Sequence, residues 1–458
     1  MLAPFRGIRY ARDRVSGIAN VTSPPYDVIN GGVLDQLRAA DPHNVVRLIL
    51  PGEEADASKA AASLLREWLS AGVLIRDRMA ALYLYEQSDA ASSWLQRGII
   101  GLVRLGSPES AGILPHEGVL PGLVAGRREL MAATQANLEP IFLIYDGEQA
   151  RDGAAADWAG ADGAAVGWAG AETATGVMDG VVTERAPLVT ITTEDGVTHR
   201  LWRLGDPAEQ AAIAADLAGR RALIADGHHR YAAYLDLQAE MRAAGLGAGP
   251  WDYGLAFLVD SAAYPPRLGA IHRVLPGLPP DRAAELAKAA FTVEDLPPDL
   301  SLDDALQRLA AAGREGTAFL LAGGPVFRLL SHPDPVQVAA SMPAGASAPW
   351  RTLDASIMQQ LLLGRLWGVT DSERDVLIDH DAADAVRAVS GDATAADVAG
   401  RPPGAASAGR GTAVISNPVS FEAVVQIAAH GERVPRKSTS FGPKPRTGLV
   451  LRTFGPSD

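Results

Sequence analysis

A mixed fold of the α/β (α+β) class is predicted by three features of the sequence. Short apolar runs of strand length alternate along the chain with stretches of helical spacing. Residues 188–204 alternate apolar and polar side chains around Asp195-Gly196, which is a hairpin signature. Residues 222–226 form an apolar run closed by an acid. Gly227 and a helical pattern over 231–244 follow, and the segment reads as strand, tight turn and helix.

Taken in order, Val45-Val46-Arg47-Leu48-Ile49-Leu50 and Ala81-Leu82-Tyr83-Leu84-Tyr85 have the length and content of strands, with helical spacing over 57–69 between them. Two more apolar runs, 99–103 and 141–145, flank a predicted helix over 127–136. Over 147–180 the composition turns to Ala, Gly and Asp, with Trp158-Ala159-Gly160-Ala161 nearly repeated at Trp168-Ala169-Gly170-Ala171. That stretch reads as a surface insertion or linker. After the hairpin, Asp206-Pro207 with Glu209 supplies an N-cap, a first-turn proline and a first-turn acid for a helix reaching about residue 220. A strand is expected over 254–259. Helices over 281–290, 302–312 and 355–366 lie among further short strands. Residues 391–411 look like a loop, 424–430 like a helix and 448–451 like a closing apolar strand. Four regions result: 1–146, 147–180 as the insertion or linker, 181–285 around the Asp-Gly-His-His-Arg turn, and 286–458 with a basic loop.

The composition narrows the function classes. At 458 residues, 47% hydrophobic and 21% charged, the chain can bury a large core. A formal net charge of -13 opposes a nucleic-acid role unless a local basic patch overrides it. The absence of cysteine removes disulfides, thiolate metal sites and a cysteine nucleophile together. No apolar stretch approaches the roughly 18 residues of a membrane span, and Met1-Leu2-Ala3-Pro4-Phe5-Arg6 lacks the pattern of a secretory signal. The expectation is a cytoplasmic protein that handles small molecules, without a membrane or nucleic-acid partner; a homo-oligomer is left open.

Chemistry concentrates in few places. In Asp226-Gly227-His228-His229-Arg230, glycine permits a tight turn, the first helical amides point outward with partial positive charge, and arginine is a forked donor for phosphate oxygens. Asp226, His228 and His229 are also metal-ligand types, but adjacent histidines diverge by about 100° on a helix, so an anion-binding turn accounts for more of the motif and no metal ligand is assigned. Ser23-Pro24-Pro25-Tyr26-Asp27 is a rigid segment presenting Tyr26 and Asp27. His116-Glu117 pairs an imidazole with a carboxylate suited to act as a general base. Asn44 with Arg47, and His272 with Arg273, interrupt apolar runs as polar side chains that face inward, candidates for substrate contacts. Residues 435–446 collect Arg436, Lys437, Ser438, Thr439, Lys444 and Arg446, a basic and hydroxyl-rich phosphate clamp. That stretch resembles a Walker A loop but lacks its second glycine, and it follows a predicted helix rather than a strand, so a P-loop is rejected.

Together these segments resemble a bacterial and archaeal family, domain of unknown function family 1015. The resemblance rests on Ser-Pro-Pro-Tyr-Asp-Val at 23–28, Asn44 to Leu48, Pro115-His116-Glu117, the run 133–142, Asp226 to Tyr231, Ile271-His272-Arg273 and 435–444. Val119, Gly122, Val124 and Ile271 depart from it, where the family favours Thr, basic residues and Thr. The Asp226–Arg230 element is in turn similar to the phosphate-binding signature of the ParB and sulfiredoxin-like superfamily, some members of which are free L-serine kinases. The resemblance implies a nucleotide-binding core of that type and phosphoryl transfer from ATP or ADP with Mg²⁺ to a small hydroxylated metabolite, free L-serine first. Sulfiredoxin chemistry is excluded by the lack of cysteine. The implied roles are Glu117, Asp27 and His116 in catalysis; Asp226, Gly227, His228, His229, Arg230, Lys437, Ser438, Thr439 and Lys444 on the nucleotide; and Tyr26, Asn44, Arg47, His272 and Arg273 on the acceptor. The competing classes are a metal-dependent phosphohydrolase and a non-catalytic nucleotide-binding regulator.

Overall fold

Apolar runs too short for helices and bounded by turn residues pair into sheets. The computed structural model describes residues 2–107, 111–147, 173–370, 375–390 and 411–455. By internal contacts the chain divides into two units, one of Met1–Pro115, Val119–Pro266 and Pro443–Asp458, the other of His116–Gly118 and Arg267–Gly442. This division does not follow the four regions read from composition. Strands from 1–146 and from 181–266 hydrogen-bond into one sheet, so the two regions share a core.

In the first unit that sheet has nine strands. Its order is Ile113–Leu114, Ala222–Asp226, Ile141–Tyr145, Tyr253–Asp260, Trp94–Arg104, Leu82–Asp89, Thr198–Leu204 and Val189–Thr192, with Leu2–Ala3 beside Trp94–Arg104. Two pairings are parallel, Ala222–Asp226 on Ile113–Leu114 and Tyr253–Asp260 on Ile141–Tyr145; the others are antiparallel. Ile141–Tyr145 and Ala222–Asp226 are buried along their whole length, which is why they read as continuous apolar runs rather than alternating ones. The hairpin forms as expected, with Gly196 at φ 81 in its turn. Helices Ala57–Ser70, Pro121–Thr134 and His228–Ala243 pack in succession.

Three expectations in this unit are corrected. Val45–Leu50 is no strand: Val46–Ile49 is a short helix whose Val46, Leu48 and Ile49 enter a satellite core with Trp68, Leu130 and Leu451. The buried Asn44 decides the outcome, since its carboxamide oxygen accepts from the Val46 N–H at 3.0 Å and offers the chain a helical start. The expected linker contains a helix, Ala174–Glu184, capped by the Thr173 hydroxyl on Gly176 N–H. The closing strand is Arg452–Thr453, paired with Ala136–Asn137, while Leu451 only bridges Ile8. The two tryptophan repeats lie outside the described residues.

The second unit holds an antiparallel six-stranded sheet in the order Thr292–Asp295, Arg328–Ser331, Phe319–Ala322, Thr412–Ser416, His272–Leu275 and Leu377–Asp379. Both faces are covered. Phe319 and Leu321 join the cluster formed with Pro280–Ala287 and Met358–Leu366, whereas Leu320 and Ala322 join that of Leu302–Glu315 and Ala382–Arg387. The helix expected over 355–366 is a short α-helix, Asp354–Ile357, continuing as a π-helix over Met358–Leu366. The loop expected over 391–411 falls almost wholly outside the described residues.

Candidate functional site

In the first unit the strand Ala222–Asp226 delivers Asp226 to the turn, and Gly227 takes φ 92, a left-handed conformation that favours glycine. A Cβ there would stand 3.1 Å from both Arg230 Nε and Ile141 Cγ2. The sixteen-residue helix His228–Ala243 starts directly after it with no side-chain cap, so the first-turn amides carry the positive end of the helix dipole. His229 Nε2 accepts from the Leu120 N–H at 3.0 Å, which places the ring proton on Nδ1 when the imidazole is neutral. His228 is buried.

Arg230 lies beneath the turn rather than at its mouth. It is 2% exposed, donating to the Pro140 carbonyl through Nη1 and to Asp226 Oδ2 through Nη2, while its buried Nε has no hydrogen-bond partner among the described residues. The guanidinium of Arg230, expected to fork onto phosphate, turns back onto Asp226, the last residue of the strand before Gly227. Lys444 takes the outward position. Its ammonium meets Asp226 Oδ1 at 2.6 Å and also pairs with Asp27. Burial raises the Asp27 carboxyl, but the charges of Lys444 and Arg230 outweigh it and hold the group below its ordinary range. Asp226 goes the other way, raised by burial and by the Asp27 charge.

Tyr26 stands over this cluster with the Arg127 guanidinium 4.3 Å and the Arg230 guanidinium 5.8 Å from its ring centroid. Its N–H donates to Glu139 Oε1 at 3.0 Å, a buried carboxyl whose pKa burial raises. Glu139 and Arg127 had no role in the sequence reading. The signal for Glu139 was an acid immediately before Pro140 in an otherwise apolar stretch. Asn44 and Arg47 serve the local backbone: Asn44 Nδ2 donates to the Asn20 carbonyl at 2.7 Å and Arg47 Nη2 to the Arg38 carbonyl at 2.8 Å.

The second unit brings together His116, Glu117 and the basic loop. Thr439 Oγ1 donates to Glu117 Oε1 at 2.8 Å and lies 2.9 Å from His116 Nε2. Ser438 is turned inward, its hydroxyl donating to the Pro435 carbonyl, and Lys437 is exposed with φ 54. Arg273 fixes the loop from behind, its Nη2 donating to the carbonyls of Arg436 at 3.1 Å and Lys437 at 2.9 Å. His272 Nδ1 accepts from the Ser416 N–H at 3.3 Å, and burial lowers its pKa to about 4. Among the described residues no group of three or more His, Asp or Glu side chains converges on a metal position, and no helix is long and apolar enough to cross a membrane.

Several solved structures are distantly similar. A free serine kinase variant in complex with AMP is 12% identical with a TM-score of 0.34, covering 75% of this chain and 87% of its own. SbnI with a C-terminal truncation, from Staphylococcus aureus, is 11% identical with a TM-score of 0.31, over 76% of this chain and 84% of its own. A conserved hypothetical protein from Pyrococcus furiosus is 12% identical with a TM-score of 0.31, over 75% and 90%. No curated protein matches the chain. The model of the family described as protein of unknown function, DUF1015, matches residues 2–165 and 168–356, and the chain belongs to that family.

Proposed function

We propose that this protein is a nucleotide-dependent kinase of a small hydroxylated metabolite, with free L-serine as the acceptor and ATP or ADP as the donor. The observation that carries the reading is the turn at Gly227: a glycine in a left-handed conformation opens an uncapped sixteen-residue helix, with the Lys444 ammonium held on Asp226. Outward amides and a lysine charge are what a phosphate group needs. The likeness of Asp226–Arg230 to a known phosphate-binding signature supports the same assignment.

In this reading the amides of His228 and His229 receive the phosphates, with Lys444 as their point charge. Lys437 is a second cation for them. Arg230 positions Asp226 and does not itself touch phosphate. Asp27 and Asp226 are already paired with Lys444 and Arg230, so Mg²⁺ would be carried on the nucleotide's phosphate oxygens and water rather than held by these carboxylates. Bound there, Mg²⁺ would neutralise charge on the phosphates. Glu117 is the general base: it takes the acceptor hydroxyl's proton as that oxygen bonds to the terminal phosphorus and the bond from phosphorus to the nucleotide's bridging oxygen breaks. Tyr26, His272 and Arg273 remain proposed acceptor-side residues.

The test incubates the purified chain with L-serine, Mg²⁺ and either ATP or ADP, follows phosphoserine by mass spectrometry, and measures nucleotide binding by calorimetry. Phosphoserine formation is the expected result. Nucleotide binding without transfer to any of a panel of small alcohols would make the protein a sensor. Ester hydrolysis without nucleotide would make it a phosphohydrolase, and no nucleotide binding would overturn the reading.

A further inference from the structure

We propose that Thr439 is a positioning residue that fixes Glu117 as an ionised hydrogen-bond acceptor, through a directional chain that starts at His116; this rests on the assignment of Glu117 as general base. The chain is short and its polarity is set by chemistry. A hydroxyl has one proton, and an ionised carboxylate can only accept. With Thr439 Oγ1 donating to Glu117 Oε1 at 2.8 Å, its 2.9 Å contact with His116 Nε2 must be an acceptance, so Nε2 carries a proton.

The anchor of the chain is rigid. His116 is fully buried, its ring meets Phe441 edge-on with centroids 5.5 Å apart, and its carbonyl accepts from the Val434 N–H at 2.8 Å. Threonine suits the middle position because β-branching restricts χ1 and so aims the hydroxyl. Two consequences follow for Glu117. One carboxylate oxygen is directed by Thr439, which fixes the orientation of the whole group. A hydrogen bond donated to the charged form also favours ionisation. Among the described residues, charged and titratable groups near this hydroxyl include His116 on Thr439, Arg436 and Lys437 beside it in the loop, Arg273 on the loop carbonyls, and Arg267 on the strand paired with Ser440–Gly442.

The test compares Thr439→Val, which keeps the shape and removes the hydroxyl, with Thr439→Ser, which keeps the hydroxyl. Losing a hydrogen bond to a charged group should lower kcat by roughly tenfold to a hundredfold in Thr439→Val, with the KM for nucleotide within about twofold. The acidic limb of the kcat–pH profile should move to higher pH, and Thr439→Ser should restore most of the rate. Independently of turnover, ¹³C-carboxyl NMR, with the Glu117 signal identified by its loss in Glu117→Gln, should show Glu117 titrating higher in Thr439→Val than in the wild type. Should Thr439→Val not fold, Thr439→Ala carries the same measurements. If the wild type transfers no phosphoryl group, the kinase reading fails, and the NMR comparison still decides whether Thr439 governs Glu117. An unmoved Glu117 titration, or Thr439→Ser as impaired as Thr439→Val, overturns the proposal.

Discussion

At the scale of single residues, Glu117 and Arg230 should fail in different ways when replaced. Glu117→Gln removes the proposed proton acceptor and leaves the turn at Gly227 intact. It should lower turnover by at least about a hundredfold with nucleotide affinity nearly unchanged, as steady-state kinetics and calorimetry would show. Should Glu117→Gln keep its turnover while Asp27→Asn loses it, the base is Asp27. Arg230→Ala instead leaves the buried Asp226 carboxyl with Lys444 but without its guanidinium partner, and urea denaturation should register a loss of roughly 1.5–3 kcal/mol. Lys444→Met leaves Asp27 and Asp226 without their shared ammonium. The lowered Asp27 pKa contributes stability that is present above its unfolded value of 3.8 and lost as pH falls through the folded one. Asp226, raised by burial and Asp27, does the opposite, losing stability as pH rises from 3.8 through its folded value. Lys444 therefore matters most where both carboxyls are ionised. The stability gap between wild type and Lys444→Met should be widest near neutral pH and narrow on acidification.

At the scale of elements, the strand, turn and helix around Gly227 form one unit that a single methyl should disturb. Gly227→Ala imposes a left-handed backbone on a residue with a Cβ, at a cost of about 1–3 kcal/mol. It also crowds Arg230 and Ile141 at 3.1 Å. Thermal unfolding should show the loss, together with weaker nucleotide binding. This unit was legible in the sequence because local rules agree there: an apolar run, an obligatory glycine, then helical spacing. Val46–Ile49 was not legible. Its apolar content fits a strand, and only the satellite core with Trp68 and Leu130 and the inward carboxamide of Asn44 make it a helix. Nor could spacing show that Arg230 faces Asp226 and the Pro140 carbonyl rather than a ligand, since the latter partner is ninety residues away.

At the scale of the molecule, acid should destabilise both units over one interval. His199 in the first unit and His272 in the second are buried, and burial lowers each to about 4. Each stays neutral when folded but takes up a proton when unfolded as pH drops below 6.5. Stability is therefore lost progressively from 6.5 down to about 4, on the order of 3 kcal/mol for each group. Denaturant midpoints measured across that interval should fall in the wild type and fall less steeply in His199→Gln and His272→Gln. A net charge of -13 carries its own expectation: the chain should not retard duplex DNA in a gel-shift experiment at physiological salt.

The sequence by itself determined the mixed fold class, the hairpin, the strand, turn and helix at Gly227, the absence of thiol chemistry and the family. All of these depend on composition or on residues adjacent in the chain. Tertiary structure alone decided which side chains share a cluster. Lys444 on Asp27 and Asp226, Glu139 under Tyr26, and Thr439 on Glu117 join residues hundreds of positions apart or nearly so. Periodicity carries no information about such pairs. They are fixed by the register of the sheets and by the need of each buried charge for a partner, terms that only the folded chain can satisfy together.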